Sequence, residues 1–198
     1  MAENSLRVVL TGNPGVGKTT VVRNVIRSLP RIAGGFYTEE IREKGRRVGF
    51  RIRTLDGEEG ILAHISLKGQ HKVGRYCVNV GDLEKVGVSA LRRAMEREGI
   101  VVVDEIAAME LCSSRFEETV RELFQRGQPV LAVVQRRRKD FMEWISNQER
   151  TKIINVTEQD RDALPLQITR LFCGDQAAED AGPKNLETER PDDRIPLI

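Results

Sequence analysis

The chain has 198 residues, 39% of them hydrophobic and 31% charged, which suits one folded domain with a real core and excludes a disordered chain. No apolar run reaches the ~18 residues of a membrane-spanning helix. The net charge of +2 is uneven, because seven acids and three bases from Gly174 onward leave −4 there and +6 on the residues before it. A mildly basic body suits a polyanionic ligand, nucleotide or nucleic acid.

The N-terminus, MAENSLRVVLTG, has no signal-peptide stretch and enters a strand almost at once. Cys77, Cys112 and Cys173 are far apart and form no C-x-x-C. Both observations lead to the expectation of a cytoplasmic protein with three isolated, buried thiols. His64 and His71 lack metal-ligand spacing and are read as surface residues.

The β-branched run Leu6–Thr11 predicts a first strand, and it ends in GNPGVGKTT. Apolar residues at Val21, Val22, Val25, Ile26 and Leu29 predict a helix over Thr19–Leu29, stopped by Pro30. Gly35–Ile41 reads as a second strand. Val48–Leu55 and Gly60–Ile65, with Asp56-Gly57 between them, read as a β-hairpin. Val86–Glu98 has helical spacing, with Gly99 as its C-terminal cap. The strand Ile100–Val103 follows directly and ends in the acids Asp104 and Glu105.

Ser113 or Ser114 can cap a helix holding Phe116, Val120, Leu123 and Phe124, which Gly127 ends. Pro129–Gln135 is the next strand, Phe141–Ile145 a short helix and Ile153–Val156 a last strand. Thr157 is a candidate cap for a helix reaching Phe172. Strands alternating with helices predict an α/β fold with a mostly parallel sheet covered on both faces and the hairpin as an antiparallel addition. The domain is expected over residues 1–173 and a disordered charged tail over 174–198.

Gly12, Asn13, Pro14, Gly15, Val16, Gly17, Lys18 and Thr19 fit G-x-x-x-x-G-K-[ST] at every fixed position, between a strand and a helix. Glycines permit backbone conformations that let successive amides cradle phosphate oxygens, and the helix N-terminus adds its dipole. Lys18 is then expected at the β- and γ-phosphates and the Thr19 hydroxyl on Mg²⁺. In a doubly wound sheet, ligands sit beyond the carboxyl ends of the strands. Asp104 can therefore share that crevice and hold Mg²⁺, directly or through water, while Glu105 orients or deprotonates an attacking water.

Arg136, Arg137, Arg138 and Lys139 follow a strand and are either a solvated run or the source of an arginine finger. Arg42, Lys44, Arg46, Arg47, Arg51 and Arg53 flank the hairpin, as an exposed face or as contacts to a ligand or RNA. Tyr37 and Tyr76 are candidates to stack on a base, and Trp144 is a packing residue. Asp160 and Arg161 either face the base or cap the last helix. With aromatic content of 5%, no platform for single-stranded nucleic acid is evident, so that partner is possible but unsupported.

TGNPGVGKTT, GGFYTEEIR, RVGFRI, VGRYCVNV, VVVDEIAAMEL with SSRF, and TEQDRD occur in this order from Thr11 to about Arg161. Together they make the chain resemble the thermophile-type nucleoside-triphosphatase family, whose vertebrate member is called cancer-related nucleoside-triphosphatase. The resemblance implies a RecA-like P-loop fold and Mg²⁺-dependent hydrolysis of ATP, GTP, CTP and UTP to diphosphate and phosphate, slow and broad in base. It also implies a nucleotide site formed by Gly12 to Thr20 and by Val102, Val103, Asp104, Glu105, Ile106 and Ala107. The protein is expected to be a monomer that takes nucleoside triphosphates and binds no membrane. Ala107 and Ala108 stand where the family has Gly-Lys, and Asp160 where it has Asn. The rival readings are a nucleoside or nucleotide kinase on the same fold and a nucleotide-gated RNA-binding module.

Overall fold

The computed structural model describes residues 6–136 and 139–174. In chain order the strands are β1 (Arg7–Thr11), β2 (Ile32–Glu43), β3 (Arg46–Thr54), β4 (Glu59–His64), β5 (Lys72–Val73), β6 (Tyr76–Val78), β7 (Ile100–Ile106), β8 (Val130–Val134) and β9 (Thr151–Asn155). The helices are α1 (Lys18–Ser28), α2 (Val80–Asp82), α3 (Ser89–Met95), α4 (Ser114–Gln125), α5 (Lys139–Ser146) and α6 (Leu164–Cys173).

All nine strands form one sheet in the order β5-β6-β4-β3-β2-β7-β8-β1-β9. The five from β2 to β9 in that order are parallel, while β3, β4, β6 and β5 add an antiparallel wing. Strand β8 therefore lies between β1 and β7, the two strands that lead into the glycine loop and the acid pair. The inner strands β1, β7 and β8 are largely apolar because both faces are covered, whereas the edge strand β9 is half exposed. Val8, Leu10, Val102, Leu131 and Val133 pack with α1 and α6, whereas Val9, Val101, Val103, Ala132 and Val134 pack with α3, α4 and α5. This period of two sorts alternate residues of one strand into two cores.

Several boundaries differ from the sequence expectation. The second strand is longer and pairs with β3 as a hairpin around Lys44 and Gly45, both at positive φ. The helical run starts at Val80, passes through π-helical turns over Leu83–Val88 and ends at Met95. Glu96, not Gly99, is its C-cap. The π-helical turns put consecutive Val86, Gly87 and Val88 all in the core, a pattern that strict 3.6 spacing does not anticipate. The last helix begins at Leu164 rather than after Thr157, with Ala163 at its N-cap, Pro165 in its first turn and no side-chain cap; in the preceding turn Asp160 accepts from the Thr157 N–H at 2.8 Å. Ser113 caps α4, accepting from the Phe116 N–H at 3.1 Å. Cys77 is buried, but Cys112 and Cys173 are only partly so. Residues 137–138 and the tail from 175 lie outside the described residues. Among the described residues, no helix is long and apolar enough to cross a membrane.

Candidate active site

The glycine loop connects β1 to α1, and its backbone conformation depends on particular glycines. Gly12 has φ 147°, and a Cβ there would lie 2.6 Å from the Val156 carbonyl oxygen. Gly17, at φ 105°, precedes the first residue of α1. The Val16 N–H donates to the Asn13 carbonyl at 3.3 Å, which closes the turn. Lys18 folds back over it, donating from Nζ to the carbonyls of Gly12 at 3.2 Å and Asn13 at 3.0 Å. Such a loop presents amides and one ammonium to an anion at a helix N-terminus. Arg161, from the turn after β9, donates to the Val16 carbonyl at 3.3 Å. Asp160 stabilises its own turn, accepting from the Thr157 N–H, and Arg161 braces the glycine loop.

Strand β7 was expected to stop at Val103, but it runs on to Ile106. Its register against β8 breaks between Val103 and Ile106, so Asp104 and Glu105 leave the ladder there. The Asp104–Glu105 peptide bond is cis. Asp104 is 1% exposed, sits beside the Thr19 side chain, and has Oδ2 buried with no partner. Burial pushes its carboxyl up to about 7, against the opposing effect of the neighbouring Thr19 side chain. Burial also raises Glu105, with Lys18 pulling the other way.

A third acid, Glu110, escaped the sequence reading although it lies in the motif MEL. Its side chain is 2% exposed, and Oε2 accepts from the Ala107 N–H at 3.1 Å. Burial, reinforced by Glu105, pushes its carboxyl well above the ordinary range. The signal for it was the turn after β7, where a buried N–H needs an acceptor.

Lys18, Thr19, Glu105 and Glu110 open onto one cleft of about 420 Å³, with Asp104 buried behind it. Gly12, Pro14, Gly15, Gly17, Lys18, Thr19 and Thr20 line it on the loop side, and Glu105, Ala107, Ala108, Glu110 and Gln135 at the strand ends. Val102, Val103 and Ile106, expected in the site, are fully buried in the two cores and support it from behind.

Thr19 and Asp104 are the pair suited to a divalent cation. A buried carboxylate oxygen with no protein partner is the acceptor such an ion would complete. Among the described residues no group of three or more His, Cys, Asp or Glu could hold a metal. A phosphate-bound Mg²⁺ takes most of its ligands from phosphate and water, so it needs no such group.

The remaining candidates fall elsewhere. Arg136 is exposed. Arg51 and Arg53 share Glu59. Tyr76 is 7% exposed and packs edge-on to Phe50 at 5.3 Å, so it is not free to stack on a base. Tyr37 lies under the Arg23 guanidinium at 4.8 Å. Trp144 packs against Phe124 and Phe141, as expected.

A glycine loop at one strand end, with an acidic strand one place beyond its neighbour, defines the class of P-loop nucleotide-binding α/β proteins. Within that class the chain belongs to the NTPase family, whose sequence model matches residues 7–169. Nucleoside-triphosphatase THEP1 of Thermotoga maritima is 45% identical over 163 residues, covering 82% of this chain and 93% of that protein. Its namesake in Methanocaldococcus jannaschii is 39% identical over 164 residues, 80% of this chain and 92% of that one. The crystal structure of THEP1 from the hyperthermophile Aquifex aeolicus superposes with a TM-score of 0.77 at 33% identity, covering 84% of this chain and 99% of that one. The solution structure of a human cancer-related nucleoside triphosphatase gives 0.69 at 35% identity, with 82% and 95% covered. The fold is thus the RecA-like P-loop architecture that the sequence motifs implied.

Proposed function

We propose that the protein hydrolyses nucleoside triphosphates to nucleoside diphosphate and phosphate, with Mg²⁺, slowly and with little preference for the base. The observation that carries this reading is that Lys18 and Thr19 of the glycine loop line one cleft with Glu105 of the acidic strand, with the unpartnered Oδ2 of Asp104 buried beside them.

Loop amides and Lys18 hold the β- and γ-phosphates, with Lys18 trading its two loop carbonyls for phosphate oxygens. Thr19 and Asp104 would hold the metal, which when bound neutralises charge on the β- and γ-phosphate oxygens. Glu105 orients a water in line with the γ-phosphorus. A bond forms from the water oxygen to phosphorus as the bond to the bridging oxygen breaks. The electron pair leaves with the diphosphate, and Glu105 takes the water proton. A carboxylate raised by burial is a better base for that proton than a solvated one.

The contacts invoked are to phosphate and metal, common to ATP, GTP, CTP and UTP, which supports broad base use. Ala108 on the cleft wall, where the resembled family has lysine, leaves one cation fewer near the phosphates and supports slow turnover. The test is phosphate release from the four triphosphates with Mg²⁺, by wild type and Lys18→Ala. Release from all four, reduced by about 10²-fold or more in the variant, is expected. Release that depends on an added acceptor would instead establish a kinase.

A further inference from the structure

The cleft does not end at the acids. It continues toward the antiparallel wing, where Thr38, Glu39, Glu40, Arg47, Phe50, Leu62 and Val73 join its lining. The sheet order β3-β2-β7-β8-β1 puts Arg47, on β3, on the opposite side of Glu105 from the loop that follows β1. Lys18, Thr19 and Asp104 mark the β- and γ-phosphate end of the loop. Arg47 therefore faces the cleft beyond the terminal phosphate, where charge develops as the phosphoryl group transfers.

Three features separate Arg47 from a solvated surface arginine. It is held in place, since Nη1 donates to Glu40 at 2.6 Å, Nε donates to the Tyr76 hydroxyl at 3.0 Å, and the guanidinium lies 5.1 Å from the Phe50 ring centroid. It belongs to a cationic cluster short of anions: Arg42 shares the Glu40 carboxylate at 2.5 Å, and Arg75 donates to the Tyr76 hydroxyl at 3.1 Å. It also keeps donors in reserve, because among the described residues its Nη2 makes no hydrogen bond and its side chain is 44% exposed. Phe50, Leu62 and Val73 provide apolar walls, which strengthen a charge–charge contact once substrate displaces water.

The other arginines are worse placed. Arg23 pairs with Glu39 as Arg47 does with Glu40, but neither it nor Arg136 lines the cleft.

We propose that Arg47 is a catalytic residue, an arginine supplied from the chain's own wing, which donates to the γ-phosphate of bound nucleoside triphosphate and stabilises the transferring phosphoryl group. The proposal rests on the triphosphatase reading of this cleft. Arg47 forms and breaks no covalent bond and keeps its protons. Its part is to offer a fixed positive charge and planar donors to the equatorial oxygens.

The test compares wild type, Arg47→Ala and Arg47→Lys by steady-state phosphate release and by binding of a fluorescent ADP with and without aluminium fluoride, all with Mg²⁺. Arg47→Ala should lower kcat by about 10²–10³-fold with KM and ADP affinity within about 3-fold. Wild type should bind ADP more tightly by about 10-fold or more once aluminium fluoride fills the phosphoryl site, and Arg47→Ala should gain nothing. Free guanidinium at millimolar concentration should restore part of the lost kcat. If Arg47→Ala unfolds, Arg47→Lys decides: it keeps the charge but not the planar fork, so the same loss of the aluminium fluoride gain is expected. Wild-type kcat, or an unchanged aluminium fluoride gain in the folded variant, overturns the proposal while leaving the triphosphatase reading intact. Failure of wild type to bind ADP at all overturns both.

Discussion

Asp104→Asn should stabilise the metal-free protein and at the same time abolish its stabilisation by Mg²⁺ and nucleotide. Asp104 is 1% exposed, its Oδ2 has no partner, and burial raises its carboxyl from 3.8 to about 7. Between these values the folded chain holds a proton that the unfolded chain has released. Without metal, stability is therefore fully present below pH 4 and falls as pH rises through 7. The full rise corresponds to about 4 kcal/mol, and water entering the open cleft reduces what is realised. Asparagine keeps the shape and an acceptor for Thr19 but carries no charge. At pH 8 in EDTA, urea unfolding should show Asp104→Asn more stable than wild type by about 1–3 kcal/mol, with the gap closing toward pH 4. Adding Mg²⁺ and ADP should reverse the order, because only the carboxylate gains an ion. An asparagine variant less stable than wild type at pH 8 in EDTA would refute the argument that this carboxylate is a cost carried for a cation.

Two further changes separate support from chemistry. Arg161→Ala removes one hydrogen bond to Val16, so KM for ATP should rise about 2–10-fold while kcat, read in the same phosphate-release assay, stays within about 2-fold. Glu110→Ala leaves the Ala107 N–H without its acceptor and should cost about 1–3 kcal/mol in urea unfolding at pH 6. Glu110→Gln, which keeps an acceptor oxygen, should recover most of that loss.

The phosphate loop was legible because its chemistry is local: a strand, fixed glycines, Lys18 and Thr19 within one stretch, and the next apolar run ending in acids. The parallel core was legible for the same reason, since each buried strand announces itself. What could not be read from spacing depended on partners distant in sequence. Arg47 looks like one cation in a basic hairpin until Glu40, Tyr76 and Phe50 are seen around it. Glu110 looks like a solvated acid until the turn buries it against the Ala107 amide. Arg161 sits 145 residues from the carbonyl it contacts. The run Val80–Met95 misled because π-helical turns shift which side chains share a face. Of the basic run after the strand β8, Arg136 is exposed and does not line the cleft.

If Glu105 activates water without holding the triphosphate, as proposed, Glu105→Gln separates the two, read as ATP hydrolysis with Mg²⁺ and as affinity for a fluorescent ATP. Loss of hydrolysis by about 10²-fold or more with affinity kept within about 3-fold of wild type is predicted. Hydrolysis at the wild-type rate would contradict the account, and the base would have to be sought elsewhere in the cleft.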